Sequence, residues 1–154
     1  MDAADDRRSA VAVHRPWLLH PPLVSIGGSL LIAAFGADWM YSQNALMQWA
    51  NGANWLIAVG LVLALLAAIA FVIDLLAVRG RRVSWLDLIL LGAAALLSLV
   101  NVFVHSRDAW TSVVPQGLWL SAISAILLVI EAFRGWSAIR DPFVRPVVRE
   151  GEVA

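Results

Sequence analysis

Between Trp85 and Asp108 the chain reads WLDLILLGAAALLSLVNVFVHSRD, and steps of four and three trace one line along it: Asp87, Leu91, Ala94, Ser98, Asn101, His105, Asp108. That spacing is a heptad repeat, the period of a left-handed helix bundle. The line carries the strongly polar groups of a helix whose other faces are Leu, Ile, Val, Phe and Ala. In water a polar line would point outward. In a bilayer it points towards other helices, because an unpaired polar group in hydrocarbon costs several kcal/mol. The expectation is an all-α bundle of transmembrane helices organised around this one.

Three further stretches support it. Leu23–Tyr41, Trp55–Val78 and Val113–Phe133 join Trp85–His105 as apolar runs of the length, about 20 residues, that spans a hydrocarbon core of about 30 Å. A 154-residue chain has room for one domain. Its 61% hydrophobic and 14% charged content lies outside the soluble range of roughly 45–50% and about 25%. A soluble fold of this size cannot bury four such helices. The organisation that follows is an arm over 1–16, a membrane domain over 17–139 and a disordered tail over 140–154.

His20-Pro21-Pro22 marks the start of the first helix, since Pro is tolerated in a first turn and bars helix before it. A basic arm followed by an apolar run is also the pattern of a cleaved signal peptide, but the run continues into Asp38-Trp39-Met40-Tyr41, which reads as an interface anchor. Ser25, Ser29, Ala33 and Ala37 form a small-residue face for a neighbouring backbone. An uncharged loop is expected over Ser42–Asn54. The second helix has a seam of Gly60, Ala64, Ala67, Phe71 and Asp74, and the last repeats the heptad as Gly117, Ser121, Ser124, Leu128, Glu131 and Gly135. Short links at Arg79–Ser84 and Ser106–Ser112 make consecutive helices antiparallel neighbours.

All the basic residues are Arg. With four spans, Arg7, Arg8, Arg15, Arg79, Arg81, Arg82, Arg134, Arg140, Arg145 and Arg149 fall on one side and Arg107 alone on the other. Positive charge stays inside, so both termini are expected to be cytoplasmic. Trp17, Trp85 and Trp136 then mark the inner interface, and Trp39, Trp49, Trp55 and Trp110 the outer one.

Sorted by depth, the polar residues make two clusters. Asp38, Asn101, His105, Arg107, Asp108 and Gln116 lie near the outer face; His20, Asp74, Asp87, Glu131 and Arg134 lie near the inner one. Between them are only hydroxyls. The outer cluster reads either as a ligand or proton site, with His105 beside Asp38 or Asp108, or as a network locking the third helix to the first and fourth. At the inner face Glu131 and Arg134 are spaced to pair on one helix, and Asp74 and Asp87 flank an Arg-rich link whose side chains can neutralise them.

Several chemistries are not expected. Without cysteine there is no disulfide, thiolate catalysis, iron–sulfur cluster or Cys-ligated zinc. His20 and His105 would sit at opposite faces, roughly 25–30 Å apart at 1.5 Å per residue, too far to share one haem iron or one zinc. No P-loop, GxSxG, HExxH or dinucleotide motif occurs, and the Arg cluster has a sufficient lipid explanation without nucleic acid. Neither cofactor nor enzymatic activity is expected.

His20-Pro21-Pro22-Leu23-Val24, the Asp38 end of the first helix, the Gly60 to Asp74 helix, the Leu97–Ser124 stretch LSLVNVFVHSRDAWTSVVPQGLWLSAIS and Gly135-Trp136 resemble a bacterial membrane family, domain of unknown function 2231. The resemblance covers about Pro16 to Ile139. It implies a four-helix inner-membrane domain of undetermined activity, found alone or joined to periplasmic redox modules of Rieske or c-type cytochrome kind. Ser25, Trp85-Leu86-Asp87 and Arg140-Asp141-Pro142 depart from positions where relatives often carry His or a Tyr/Arg/His-rich ending. The expected function is a non-enzymatic membrane module that anchors or assists a partner, such as an envelope redox complex, with homo-oligomer formation open. The alternative is a small proton- or ion-coupled transporter using Asp38, His105 and Asp108, then Asp74 and Glu131.

Overall fold

A computed structural model describes residues 18–77, 82–107 and 113–140. Four helices in it are long and apolar enough to cross a membrane. They are α1 (His20–Asn44), α2 (Met47–Ala77), α3 (Trp85–His105) and a last span, Val113–Arg134, made of an irregular π-type turn (Val113–Gly117) running into α4 (Leu118–Arg134). Two-residue strands, β1 (Arg82–Val83) and β2 (Ile139–Arg140), pair antiparallel at one end, Arg82 opposite Arg140 and Val83 opposite Ile139. The near face is the end holding this ribbon and the start of α1. The far face holds the α1–α2 turn and His105.

Local chemistry sets the helix ends. Pro21 and Pro22 occupy the first turn of α1, where a missing N–H is harmless. At the far face the expected Ser42–Asn54 loop is replaced by a turn of two residues between α1 and α2. Ala45 adopts the left-handed conformation (φ 53°) and its N–H caps the Tyr41 carbonyl at 2.8 Å, while Asn44 Oδ1 accepts the Leu46 N–H at 3.0 Å. Hydropathy locates the part of a helix that crosses lipid, not its ends. With 31 residues, α2 is about 46 Å long against a core of about 30 Å, and its polar first turns Met47–Asn54 are the excess.

The start of the last span is irregular because of Pro115. Val114 before it is extended (φ −117°, ψ 125°), as residues preceding proline are. At the other end Gly135 takes φ 99° and its N–H caps the Glu131 and Ala132 carbonyls at 3.1 and 3.2 Å. That cap turns Trp136 back into the bundle. Its ring lies so close to Gly28 that a Cβ there would be 2.5 Å away, so Trp136 packs against α1 as well as lying at the near end of the bundle.

The helices form two hairpins, α1–α2 and α3–α4, joined chiefly through α1 against α4. Although α2 and α3 are consecutive, they touch only sparsely. Leu31, Ala34, Ile57, Ala94 and Leu128 make the central core. The burial pattern is inverted relative to a water-soluble protein. His20, Asp38, Asp74, Asp87, Ser98, Asn101, Ser121, Ser124 and Glu131 are buried, while Val62, Leu65, Ile69, Ile89, Leu96, Ile126 and Phe133 are exposed. Such a surface suits hydrocarbon, and three of the buried polar residues, Asp87, Ser98 and Asn101, belong to the α3 seam read from the sequence.

The α1 face differs from expectation. Of the expected face Ala37 is buried, but Ser29 and Ala33 are exposed, and α1 packs through Gly27, Gly28, Leu31, Ala34, Asp38 and Tyr41 beside Ala37. Ser25 and Ser29 need no helix partner because their hydroxyls donate to carbonyls in their own helix, Pro22 at 2.9 Å and Ser25 at 2.7 Å. Glycine then permits the closest approach: Gly27 meets α2 at Gly60.

Candidate functional site

Three ion pairs among the described residues tie the bundle together, each between different helices. The first is at the near face. A helix leaves its first few backbone N–H groups without partners, and in α1 Pro21 and Pro22 have none to offer. The remaining donors, Leu19 and His20, both give their N–H to Asp74 near the end of α2, at 2.8 and 3.0 Å to Oδ2. His20 Nδ1 lies 2.8 Å from the same oxygen, and the imidazole stands edge-on to Phe71, 5.4 Å between centroids. Asp74 is thus an N-cap supplied by another helix, at the positive end of the α1 dipole. Among the described residues its charged partner is His20, while Arg79 and Arg81 of the α2–α3 link lie outside them.

The other imidazole nitrogen, His20 Nε2, faces the Ser137 hydroxyl at 3.3 Å. Hydroxyl, imidazole and carboxylate stand in the order that hydrolases use to activate a nucleophile. Here, however, the Ser137 hydroxyl lies 3.0 Å from the Ile139 carbonyl and accepts the Ile139 N–H at 3.3 Å, closing a local turn. Ser137 was not found from the sequence, and 117 residues of separation leave no pattern that could have revealed it.

The second pair is also near-face: Arg134 Nε donates to Asp87 Oδ1, joining α4 to α3. Arg134 therefore reaches across to the fully buried Asp87. Glu131, one turn back, is fully buried as well. The five residues expected near this face accordingly divide between a His20–Asp74 pair and an Asp87–Arg134 pair, with Glu131 beside the latter on α4.

Midway through the bundle Ser98 and Ser124 bond hydroxyl to hydroxyl at 2.8 Å, and Ser124 lies 3.1 Å from the Ala94 carbonyl. At the far face the third pair closes α1 onto α3. His105 Nε2 is 2.9 Å from Asp38 Oδ1, and His105 Nδ1 is 3.0 Å from the Asn101 carbonyl. Asp38 is 0% and Asn101 1% exposed. Asp38 Oδ2 and both side-chain amide atoms of Asn101 are buried without a hydrogen-bond partner among the described residues. Of the six residues expected here, Asp38, Asn101 and His105 come together. Arg107 and Gln116 are exposed, and Asp108 lies outside the described residues.

The sparse contact between α2 and α3 leaves a cavity of about 220 Å³. Small residues open it, among them Gly27, Ala64, Ala67, Gly92 and Ala95, and among the described residues His20 is the one polar residue at its wall. It runs from the near face to mid-bundle and is apolar.

A family model described as predicted membrane protein (DUF2231) matches residues 17–142. The chain belongs to that family. No curated protein and no solved structure matches it. The DUF2231 match takes in all four spans, both His–Asp pairs and the β1–β2 ribbon, and its description carries no activity. The geometry of this DUF2231 domain therefore has to carry the functional argument. Among the described residues no group of three His, Cys, Asp or Glu side chains is placed to hold a metal ion.

Proposed function

We propose that the protein is a non-enzymatic module of a bacterial inner membrane, with both termini in the cytoplasm, that anchors or assists a partner such as an envelope redox complex. One observation carries the reading: the three ion pairs each clamp two different helices, His20–Asp74 joining α1 to α2, Asp38–His105 joining α1 to α3, and Asp87–Arg134 joining α3 to α4. Charged groups used this way set register and rigidity, and a rigid bundle suits a platform. The orientation rests on the arginines, which crowd the near-face segments and leave Arg107 at the far face. Heptad spacing on α3 and α4 supports left-handed packing.

Purification in mild detergent tests the proposal. The expected result is a stoichiometric complex with a defined membrane or periplasmic protein, and a monomer that retains none counts against it. Reporter fusions at each terminus test the orientation; a periplasmic reading from either end refutes it.

A proton- or ion-coupled transporter is the second reading. It is favoured by the polar line that continues inward from Asp38–His105 through Asn101 to the Ser98–Ser124 pair. Flux in proteoliposomes that disappears in Asp74→Asn or His105→Ala would promote it, and flux indifferent to both would end it.

A further inference from the structure

We infer that the far-face unit of Asp38, His105 and Asn101 is a proton-binding site that holds a proton in the resting protein beyond the one a neutral imidazole carries. The inference stands apart from both readings above and does not require transport.

It follows from counting donors and acceptors. Both nitrogens of the His105 ring face oxygen: Nδ1 lies 3.0 Å from the Asn101 backbone carbonyl, and Nε2 lies 2.9 Å from Asp38 Oδ1. A carbonyl oxygen can only accept, so Nδ1 carries a hydrogen. An ionised carboxylate can also only accept, so a second hydrogen sits between Nε2 and Oδ1, on one atom or the other. A neutral imidazole beside an ionised Asp38 fails in either tautomer. It sets a ring lone pair against the carbonyl or against the carboxylate at hydrogen-bond distance, with both side chains no more than 1% exposed. The pair is satisfied as imidazolium with carboxylate, or as neutral imidazole with carboxylic acid. Each has zero net charge, and both avoid leaving a bare carboxylate inside an apolar bundle.

The near-face pair makes the contrast. His20 Nδ1 also faces a carboxylate, but Nε2 faces the Ser137 hydroxyl, which can donate or accept. Asp74 is further served by the N–H groups of Leu19 and His20. Ser137 has one hydrogen, and its place between His20 Nε2 and the Ile139 carbonyl decides whether one ring proton or two satisfy that site, so the near-face geometry does not require the second.

The far site has further polar atoms of its own. Asp38 Oδ2 and the Asn101 amide are buried and unpartnered among the described residues, and a water molecule is the guest whose chemistry fits an acceptor beside an amide. The other titratable or charged groups that the described residues bring to this end are Tyr41, one turn past Asp38 on α1, and the exposed Arg107, two residues past His105 on α3. In the same region α2 supplies the neutral amide of Asn54, and the π-type turn before α4 that of Gln116. None of these is an acid that would replace Asp38 as the partner.

The test is nitrogen NMR of the full chain in lipid nanodiscs at pH 7 with ring-¹⁵N histidine, assigned by loss of signal in His105→Gln, together with carboxyl infrared bands compared between wild type and Asp38→Asn. Two results support the site: a doubly protonated His105 ring, or a ring protonated at Nδ1 alone with a carboxylic-acid band that Asp38→Asn removes. A singly protonated ring beside an ionised Asp38 overturns it. In Asp38→Asn the ring is expected to carry one proton at the same pH, and a ring still doubly protonated also overturns the sharing. Should that variant fail to fold, His105→Gln takes over its infrared comparison, because a carboxylic-acid band from Asp38 would then change with the loss of its partner, and the wild-type spectra decide the matter.

Discussion

Adding one methyl group at the α1–α2 crossing should measurably loosen the bundle. A Cβ on Gly27 would sit 3.1 Å from Leu63 Cβ and 3.2 Å from the Gly60 carbonyl oxygen, with the Ala64 nitrogen at 3.6 Å. These are backbone atoms or a first side-chain atom, so neither close neighbour can swing away and the helices must separate by a few tenths of an ångström. Overpacking of this kind costs about 1–3 kcal/mol, against a gain of about 1 kcal/mol for replacing glycine in a helix interior. Gly27→Ala is thus expected to lose about 1 kcal/mol net, and up to about 2. Gly92 is the matched control, since nothing lies within 4 Å of a Cβ built there and it borders the cavity. Gly92→Ala should hold or gain stability. Unfolding in mixed micelles at increasing denaturing-detergent fraction, followed by circular dichroism, would rank the two variants. A Gly27→Ala protein as stable as Gly92→Ala would refute the close-approach argument.

Other substitutions probe the polar clamps. Asp74→Ala strips the acceptor from the Leu19 N–H, the His20 N–H and the His20 ring, and is expected to cost about 3–5 kcal/mol in the same unfolding assay. Asp74→Asn keeps an accepting oxygen for the helix end and should be milder, so equal losses would argue against the capping role. A double-mutant cycle of Asp87→Asn with Arg134→Ala should give a coupling of about 0.5–3 kcal/mol, whereas strict additivity would mean the cross-helix contact is energetically empty. Ser124→Ala removes the Ser98–Ser124 bond and the contact with the Ala94 carbonyl at mid-bundle and should cost about 1 kcal/mol, from an average of about 0.6 for each polar bond between membrane helices. A loss several times larger would assign that pair a bigger structural role.

What the sequence revealed and what it hid divide along physical lines. The seams of α3 and α4 were legible because Asp87, Ser98, Asn101, Ser121, Ser124 and Glu131 are rare residue types within apolar helices, and all six are buried. The packing face of α1 was misread, because Ser25 and Ser29 look like contact residues until their hydroxyls are seen bonding their own backbone. The extra turns of α2 were invisible to hydropathy, since polar residues outside lipid are free to be helical. The sequence offers Asp38 or Asp108 beside His105, and the structure has Asp38 there, whereas no pattern points to the His20–Asp74 bond. It joins residues 54 apart and depends on where α2 ends relative to the first turn of α1. Two-residue strands carry no periodicity at all, so the ribbon had no signature to read.

That ribbon has a mechanical consequence. Ser84 donates its N–H to the Ala138 carbonyl at 2.8 Å, beside the Arg82–Arg140 and Val83–Ile139 pairing, so the stretch leading into α3 is fastened to the stretch leaving α4. The α3–α4 hairpin is therefore tied at its open end as well as at its turn, which makes a closed loop of two helices. Pulling the end of α4 away from α3 would have to unzip main-chain bonds first, and a force applied to either strand would be felt by both helices together.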